Sequence, residues 1–418
     1  MKILLVGGGG FIGRHLLRAL HSAGHSIIAT SREPQAPGWP GVEWRQLDLG
    51  VLAGDPEHFA LPLDVDLLIN AAGLLSVDTE ALSLVQDRGA RALFDQAARR
   101  GVRILQISAL GASAQSDVPF LASKGLADEY LCVLDSVSVV LRPSLVVGPG
   151  GASSGWMEGL SPWPLIPLLN LQARIQPVHV DDLVGAVLAL LRQWPTESVV
   201  LPLVGPEPMT LARLIDHLRA AQGWAPARYI KAPALLTEPG SRLGDRFGWR
   251  ALNRQSLALA QRDNLADPAA LASICGYYAA PVQTRLQDWP SAAQSSLRAI
   301  RPLMLAVLAI IWLGTAIVCL GPGYDWGLRI MAEAGVHGAW AKLAVIAGAL
   351  CDGALGVGML FKRWRRQALR LQLGLMLGYT LCISFILPHY WFDPYAAVAK
   401  NLVLIVATLW LLWTEPRR

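Results

Sequence analysis

A chain of 418 residues has room for two or three domains, and this one is 53% hydrophobic and only 16% charged, with a mean hydropathy of +0.39, more apolar than an ordinary soluble enzyme. Its net charge of +5 does not indicate a nucleic-acid partner, because much of the basic excess sits at Lys362, Arg363, Arg365, Arg366 and Arg370, between two hydrophobic stretches, where it reads as a membrane-topology signal. Cys132, Cys275, Cys319, Cys351 and Cys382 show no C-x-x-C spacing, so neither a disulfide framework nor a metal site is expected, and the globular part is expected to face a reducing cytoplasm.

Lys2 is followed at once by an apolar run, 3–6, that reads as a buried strand and not as a cleavable signal. Phe11, Ile12, Leu16 and Leu17 then begin a helix with an inward face. Between them Gly7, Gly10 and Gly13 form a Gly-x-x-Gly-x-x-Gly turn. Glycines there allow positive φ and place no Cβ in the way of a pyrophosphate, and the unpaired N–H groups of the helix start face that anion. Strand before and helix after make this a dinucleotide site, with Gly7, Gly10, Phe11, Ile12 and Gly13 as expected contacts.

A second strand, 26–30, ends at Ser31 and Arg32. In a dinucleotide site this end meets the adenosine ribose, where a carboxylate accepts the 2′-hydroxyl and an arginine accommodates a 2′-phosphate. Arg32 stands there with no carboxylate before Glu33, so NADP(H) is favoured over NAD(H); the other reading is a solvated loop arginine. A third strand is expected over 44–49, carrying Asp48, and a buried fourth over 65–73. A helix over about 82–100 and a fifth strand over 102–108 follow. Strands alternating with helices argue for an α/β fold with a doubly wound parallel Rossmann sheet whose strand ends share one ligand-binding edge.

These segments resemble the short-chain dehydrogenase/reductase superfamily. The resemblance rests on the glycine turn, Asp48-Leu49, Asn70-Ala71-Ala72-Gly73 and Ser108. Three later segments are similar to its extended and atypical branches, the latter including the complex I accessory subunit: 141–149 (Leu141-Arg142-Pro143 onward), 177–182 (Pro177 to Asp182), and Val204-Gly205-Pro206 with Met209-Thr210-Leu211. Coverage is about residues 1–230. The resemblance implies that Asp48 and Leu49 approach the adenine and that Ala71, Ala72 and Gly73 pass beside the cofactor. It also implies a catalytic Tyr-x-x-x-Lys pair, whose matching segment here is Phe120-Leu121-Ala122-Ser123-Lys124. Positions i and i+4 share a helix face, but Phe120 has no hydroxyl to exchange a proton. Lys124 is expected to hold the nicotinamide ribose, with a solvated lysine as the alternative. Ser108 is expected either to hydrogen-bond a substrate carbonyl or to bond backbone. Tyr130, roughly 120° around the helix from Lys124, is expected to pack. If hydride transfer occurs, its proton comes from water, substrate or another side chain such as His179; otherwise the nucleotide is held for structure or sensing.

Asp181 and Asp182 precede an apolar helix, 183–191, and are expected to cap it. Residues 151–175, with Trp156, Met157 and Trp163, read as a mobile flap whose apolar character points to a hydrophobic substrate or to plain packing. A capped amphipathic helix is expected within 207–223, ending at Gly223. The domain plan is 1–232, a helical cap or linker over 233–300 with helical pieces at 256–262 and 267–274, and a membrane domain over 301–418.

Four apolar runs, 303–320, 339–361, 371–387 and 396–413, each have the length of a membrane-crossing helix. Trp312, Trp340, Trp391, Trp410 and Trp413 include several near predicted ends, as in interfacial belts. Arg298 and Arg301, the basic cluster and the terminal Arg417 and Arg418 lie on one side, so both termini are expected in the cytoplasm of a multi-pass inner (cytoplasmic) membrane protein. The four-span pattern resembles the DoxX-like family. Gly374-x-x-x-Gly378, with Ala349, Gly353 and Gly356, would let helices approach closely. Asp352, mid-span, is expected either to function or to pack through hydrogen bonds. The expected function is a membrane-tethered oxidoreductase that binds nicotinamide dinucleotide and acts on a lipophilic carbonyl, quinone or isoprenoid-type substrate. The other expectation is a nucleotide-binding assembly or sensor subunit docked on a membrane-protein partner.

Overall fold

The computed structural model describes all residues except 34–38, 248–252, 288, 395, 397 and 416–418, so Arg417 and Arg418 lie outside the described residues. The chain divides into two compact units, Met1–Ser295 and Ser296–Arg418.

Runs of four to six residues, apolar in all but the edge strand Val42–Gln46, make the main sheet of the first unit. They are β1 (Lys2–Val6), β2 (Ser26–Ser31), β3 (Val42–Gln46), β4 (Leu67–Asn70), β5 (Arg103–Ile107), β6 (Ser138–Pro143) and β7 (Val199–Leu203). All pair in parallel in the order β7-β6-β5-β4-β1-β2-β3. Period-2 alternation sends β1 side chains to both faces. Ile3 and Leu5 join one core layer with Leu16, Leu17 and Leu20 of the helix Phe11–Ser22. Leu4 and Val6 join the other with Leu93, Phe94 and Ala97. A sheet buried on both faces explains why its central strands read as continuous apolar runs.

The structure differs from the sequence reading at several boundaries. β3 begins at Val42 and stops at Gln46, because Asp48 caps a short helix, Leu49–Leu52. The helix expected over 82–100 is helical from Thr79 to Ala98, with a π-helical segment, Ser83–Arg88, inside it. The helix Leu211–Ala221 is capped by Thr210 and followed by Gly223 at φ +78°, within the span expected. The segment read as a helical cap or linker packs on the first unit's core: Leu271 and Cys275 pack with the sheet, and Val282 and Leu286 with Ile166 and Leu168.

Among the described residues three helices are long and apolar enough to cross a membrane: Ala292–Leu320, Gly338–Gly358 and Arg365–Ile386. The fourth expected span is a shorter apolar helix, Lys400–Thr414. A ten-residue helix, Tyr324–Glu333, was not anticipated. Leu308, Trp312, Met359, Leu369, Met376 and Leu411 form the inner cluster, while Ile310, Ile317, Leu350, Phe385 and Val403 are exposed outward, an apolar surface suited to lipid. Close helix approach occurs at Gly356, where a Cβ would lie 3.0 Å from Leu313, and at Gly353, where it would lie 3.4 Å from Ala316. Gly374 and Gly378 do not serve it, since a Cβ at either would meet nothing within 4 Å. Asp352 is buried, with Oδ1 lacking a hydrogen-bond partner among the described residues.

Candidate functional site

β1 and β4 are neighbours at the point where strand order reverses, the place where open α/β sheets bind ligands. Gly7 leaves β1 at φ +76°, and a Cβ there would sit 2.9 Å from the Ala72 nitrogen. Asn70 holds that peptide in place: its Oδ1 accepts from Ala72 N at 3.2 Å, and its Nδ2 donates to Gln106 Oε1 at 2.8 Å. Gly13 seats the helix on the turn, since a Cβ would come within 2.1 Å of Gly7 O. Gly9, by contrast, has nothing within 4 Å of its Cβ position among the described residues, which leave the front of the turn open. The helix Phe11–Ser22 starts at Gly10 with no side-chain cap and no acidic residue in its first turn. Its N–H groups and the positive end of its dipole therefore remain for an anion.

The cleft so formed encloses about 540 Å³ and is lined by Gly7, Gly10, Phe11, Ile12, Arg32, Asp48, Leu49, Ala71, Ala72 and Gly73, among others. Gly13 lies under the turn instead of in the wall. Arg32 is exposed at the end of β2, its carbonyl accepting from Gln46 Nε2 at 3.2 Å. Asp48 Oδ1 accepts from Gly50 N at 2.8 Å, so one carboxylate oxygen is committed to the cap. An anion-binding helix end and an open turn fit a nicotinamide dinucleotide, with Arg32 at the far end of the cleft.

Lys124 and Ser108 line neither this cleft nor the cavity described below. Lys124 stands one turn after Phe120, whose ring centre is 5.9 Å from Nζ. The amine is buried and donates to Ile107 O at 3.0 Å. Burial lowers its pKa to about 8, against the opposing pull of Asp128. Asp128, fully buried on the same helix, accepts from Ser108 Oγ at 2.6 Å and from Arg142 Nε at 2.9 Å. Burial raises the Asp128 pKa, opposed by those two partners and by Lys124. The Ser108 hydroxyl thus donates to a carboxylate and not to backbone, and Lys124 is buried where a solvated lysine was the alternative. Asp128 and Arg142 were missed by the sequence reading; the signal available was the i+4 spacing of Lys124 and Asp128. Tyr130 donates to Asp95 Oδ1 at 2.6 Å, in a packing position.

His179, not Asp181 or Asp182, caps the helix Val180–Arg192, its Nδ1 accepting from Asp181 N at 3.3 Å. Burial lowers the His179 pKa. Asp182 lies inside the first turn, fully buried, and accepts from Tyr277 Oη at 3.0 Å, Ala280 N at 3.3 Å and Arg285 Nη2 at 2.9 Å. It ties residues 277–285 to the Rossmann unit.

The flap expected to be mobile is regularly folded. It contains the helix Ala152–Leu160, the strand Leu165–Leu168 paired to Arg228–Lys231, and Arg174–Ile175 paired to Met209–Thr210. Ile166, Leu168 and Met157 are buried in one cluster, which fixes it. Opposite lies the helix Arg254–Ala260, capped by Asn253. Gln255 Nε2 donates to Ser76 O at 2.7 Å, Arg262 pairs with Asp117, and Asn264 accepts from Ser144 Oγ at 2.6 Å and donates to Leu110 O at 3.3 Å. These partners follow β4, β5 and β6, so residues 254–264 lie across the ligand-binding edge of the sheet. Between this lid and the flap is a cavity of about 310 Å³. Its wall is almost wholly apolar, with Leu75, Leu145, Trp156, Met157, Ile175 and Leu259. The cavity adjoins the dinucleotide cleft: Leu74 lines one and Leu75 the other. The Phe11 ring of the cleft also lies 3.1 Å from a Cβ position on Gly151, next to Ala152 of the cavity. No group of three or more His, Cys, Asp or Glu side chains suited to a metal occurs among the described residues.

Residues 3–201 match the NAD dependent epimerase/dehydratase family and residues 309–409 the DoxX-like family. Among curated proteins, the chain is 30% identical over 197 residues to a ceramide reductase of Caulobacter vibrioides, covering 46% of this chain and 61% of that one. It is 29% identical over 117 residues to the mitochondrial NADH dehydrogenase (ubiquinone) 1 alpha subcomplex subunit 9 of Dictyostelium discoideum, covering 28% and 33%. To a photosystem II assembly factor of Synechocystis it is 24% identical over 175 residues, covering 41% and 50%. The chain spans less than two thirds of the length of each. Similar solved structures include a nucleoside-diphosphate-sugar epimerase of Staphylococcus aureus, with a TM-score of 0.56 and 18% identity, covering 69% of this chain and 100% of that one. A UDP-glucose 4-epimerase of Bifidobacterium longum in complex with NAD+ and UDP gives a TM-score of 0.52 and 17% identity, covering 72% and 98%. At these identities the likeness is one of fold.

Proposed function

From an epimerase/dehydratase-type NAD-binding domain at the N-terminus and a DoxX-like membrane domain at the C-terminus, we propose that this chain is a membrane-tethered oxidoreductase that binds NADP(H) and acts on a lipophilic carbonyl, quinone or isoprenoid-type substrate. The observation that carries this reading is the adjoining of two unlike cavities, a cleft with an anion-binding helix end and an apolar one at the same sheet edge. Gly7, Gly10 and the helix start would hold the pyrophosphate, Arg32 the 2′-phosphate, Asp48 and Leu49 the adenine side, and Ala71 to Gly73 the middle of the cofactor. When bound, the dinucleotide supplies or accepts a hydride. Lys124 is assigned the nicotinamide ribose, with Ile107 O holding its amine and the Asp128 charge one turn along the same helix. Phe120 has no proton to give, so the substrate oxygen takes its proton from water or from the substrate itself. One relative is a ceramide reductase, an enzyme named for a lipid, which favours a lipophilic substrate. Tethering would raise the local concentration of membrane-dissolved substrate. The placement proposed is the inner membrane, with the dinucleotide unit and both termini in the cytoplasm.

A second reading is a nucleotide-binding assembly or sensor subunit of a membrane complex. Phe120 and the closed Ser108–Asp128–Arg142 network favour it, and two relatives are a complex subunit and an assembly factor. Stopped-flow oxidation of bound NADPH by quinones and enals, with the chain in lipid nanodiscs, separates the two. Turnover above a Lys124→Ala background supports the enzyme; NADPH binding with no turnover supports the subunit.

A further inference from the structure

We infer that the cavity between the flap helix Ala152–Leu160 and the lid helix Arg254–Ala260 binds a single neutral hydrocarbon chain, whose reactive end faces the dinucleotide cleft past Leu74 and Leu75. This rests on the oxidoreductase reading and narrows its substrate class.

Three observations lead there. The cavity's lining is apolar from five separate places in the chain, represented by Leu75, Leu145, Met157, Ile175 and Leu259, so it is not a seam between two neighbouring elements. Apolar surface facing water is unfavourable, and covering it with an apolar ligand is favourable. Its walls are fixed before any ligand arrives. Asn253 caps the lid helix, and Gln255, Arg262 and Asn264 fasten it to three strand ends, while Ser154 Oγ accepts from Gly148 N at 3.0 Å at the base of the flap. Preorganised walls reduce what binding must spend on ordering.

Size and charge then restrict the occupant. About 310 Å³ is at the low end of ligand pockets, enough for one chain and not for a two-chained lipid with its headgroup. Among the described residues Arg262 is the one ionisable group in the lining, and it is paired with Asp117. A carboxylate would therefore have to compete with Asp117 for the one cation described there, whereas a ketone, aldehyde or quinone tail needs none. Ser153, Asn170 and Ser256 supply neutral polar groups beside the apolar wall.

The test is photolabelling of the full chain in nanodiscs with a long-chain alkyl ketone bearing a mid-chain diazirine, followed by peptide mapping. Label is expected on peptides within 152–175 and 254–262, displaced by unlabelled long-chain ketone but not by butanone or by the fatty acid of equal length. Ala260→Phe, and separately Ala173→Phe from the flap side, should lower that label about tenfold while NADPH still binds, which also reports folding. Label confined to 296–418, label unaffected by both variants, or displacement by the fatty acid as strong as by the ketone would overturn the inference. Reduction of a small water-soluble quinone, run on the same preparation, keeps the two claims apart. Labelling without turnover counts against the oxidoreductase alone, and turnover without labelling counts against the chain site alone.

Discussion

Lys124 occupies an unusual place for an amine, buried with a single backbone carbonyl at hydrogen-bonding distance and a phenyl ring on one side. Its folded pKa of about 8 lies below the ordinary 10.5. Between these values the unfolded chain holds a proton that the folded chain has released, so stability rises with pH through that window. Below it both states are protonated and the burial penalty is constant, about 3 kcal/mol. Lys124→Met should therefore flatten the stability profile from pH 8 upward, and the variant should be the more stable one near pH 7. Thermal unfolding of both proteins from pH 7 to 10 checks this; parallel profiles would show that the amine does not titrate in that range. Arg32→Ala should weaken NADPH about 10- to 100-fold, the worth of hydrogen bonds to a charged group, with NADH nearly unchanged. Calorimetric titration of both nucleotides decides it, since an equal loss for the two would remove Arg32 from the phosphate. The glycine turn was legible because its glycine spacing and the helix that follows it are local in sequence, even though the Ala72 backbone that packs on Gly7 is not. The Ser108–Asp128–Arg142 network was not, because Ser108 and Arg142 meet through the register of β5 and β6, which pairs Ile107 with Leu141, and no spacing along the chain encodes that pairing.

At the scale of elements, the first, second, fourth and fifth strands followed from apolar runs, the strands Ser138–Pro143 and Val199–Leu203 were not expected, and other errors lie where a tertiary contact overrides local pattern. The π-helical segment Ser83–Arg88 is one case. It presents Gln86, whose Nε2 donates to Leu74 O at 2.6 Å and whose Oε1 accepts from Ser123 Oγ at 2.8 Å, tying the cleft wall to the Lys124 helix. Gly89 just beyond it lies where a Cβ would be 2.1 Å from Leu49 O, so the helix is pressed against the cleft's other wall. The lid is the second case. Its helical pieces were expected at 256–262 and 267–274 and occur at Arg254–Ala260 and Ala269–Cys275, yet nothing local says that they cover the sheet edge. Asp182 supplies that information from far along the chain. Asp182→Asn removes the charge that Arg285, Tyr277 and Ala280 N share. The expected loss is about 2–3 kcal/mol, below that of a wholly buried pair because Arg285 reaches solvent. Limited proteolysis should then cut within 264–291 before the sheet is attacked. An unchanged cleavage pattern would mean that the apolar contacts of Leu271 and Val282 suffice.

For the whole molecule, the decisive feature is one carboxylate. Glu415 pairs with Arg301 and, at 3.6 Å, with Arg365. The start of Ala292–Leu320, the start of Arg365–Ile386 and the end of Lys400–Thr414 therefore share one end of the second unit, which is also the end that carries Arg298 and the cluster around Lys362. The proposed four-span arrangement agrees with that meeting, although the last helix, at 15 residues, rises only about 22 Å against a hydrocarbon core of about 30 Å. Local thinning or anchoring by Lys400 can make up such a mismatch. With positive charge retained inside, a green fluorescent reporter fused after the last residue should fluoresce, and alkaline phosphatase fused near Gly335, in the segment between the first two long helices, should be active. Phosphatase activity at the C-terminus would show that Lys400–Thr414 does not cross and would separate Glu415 from Arg301. Replacing Lys362, Arg363 and Arg366 together by alanine tests the cause, because orientation set by that cluster should become mixed at both reporters, whereas orientation set by the folded N-terminal unit should stay as it was.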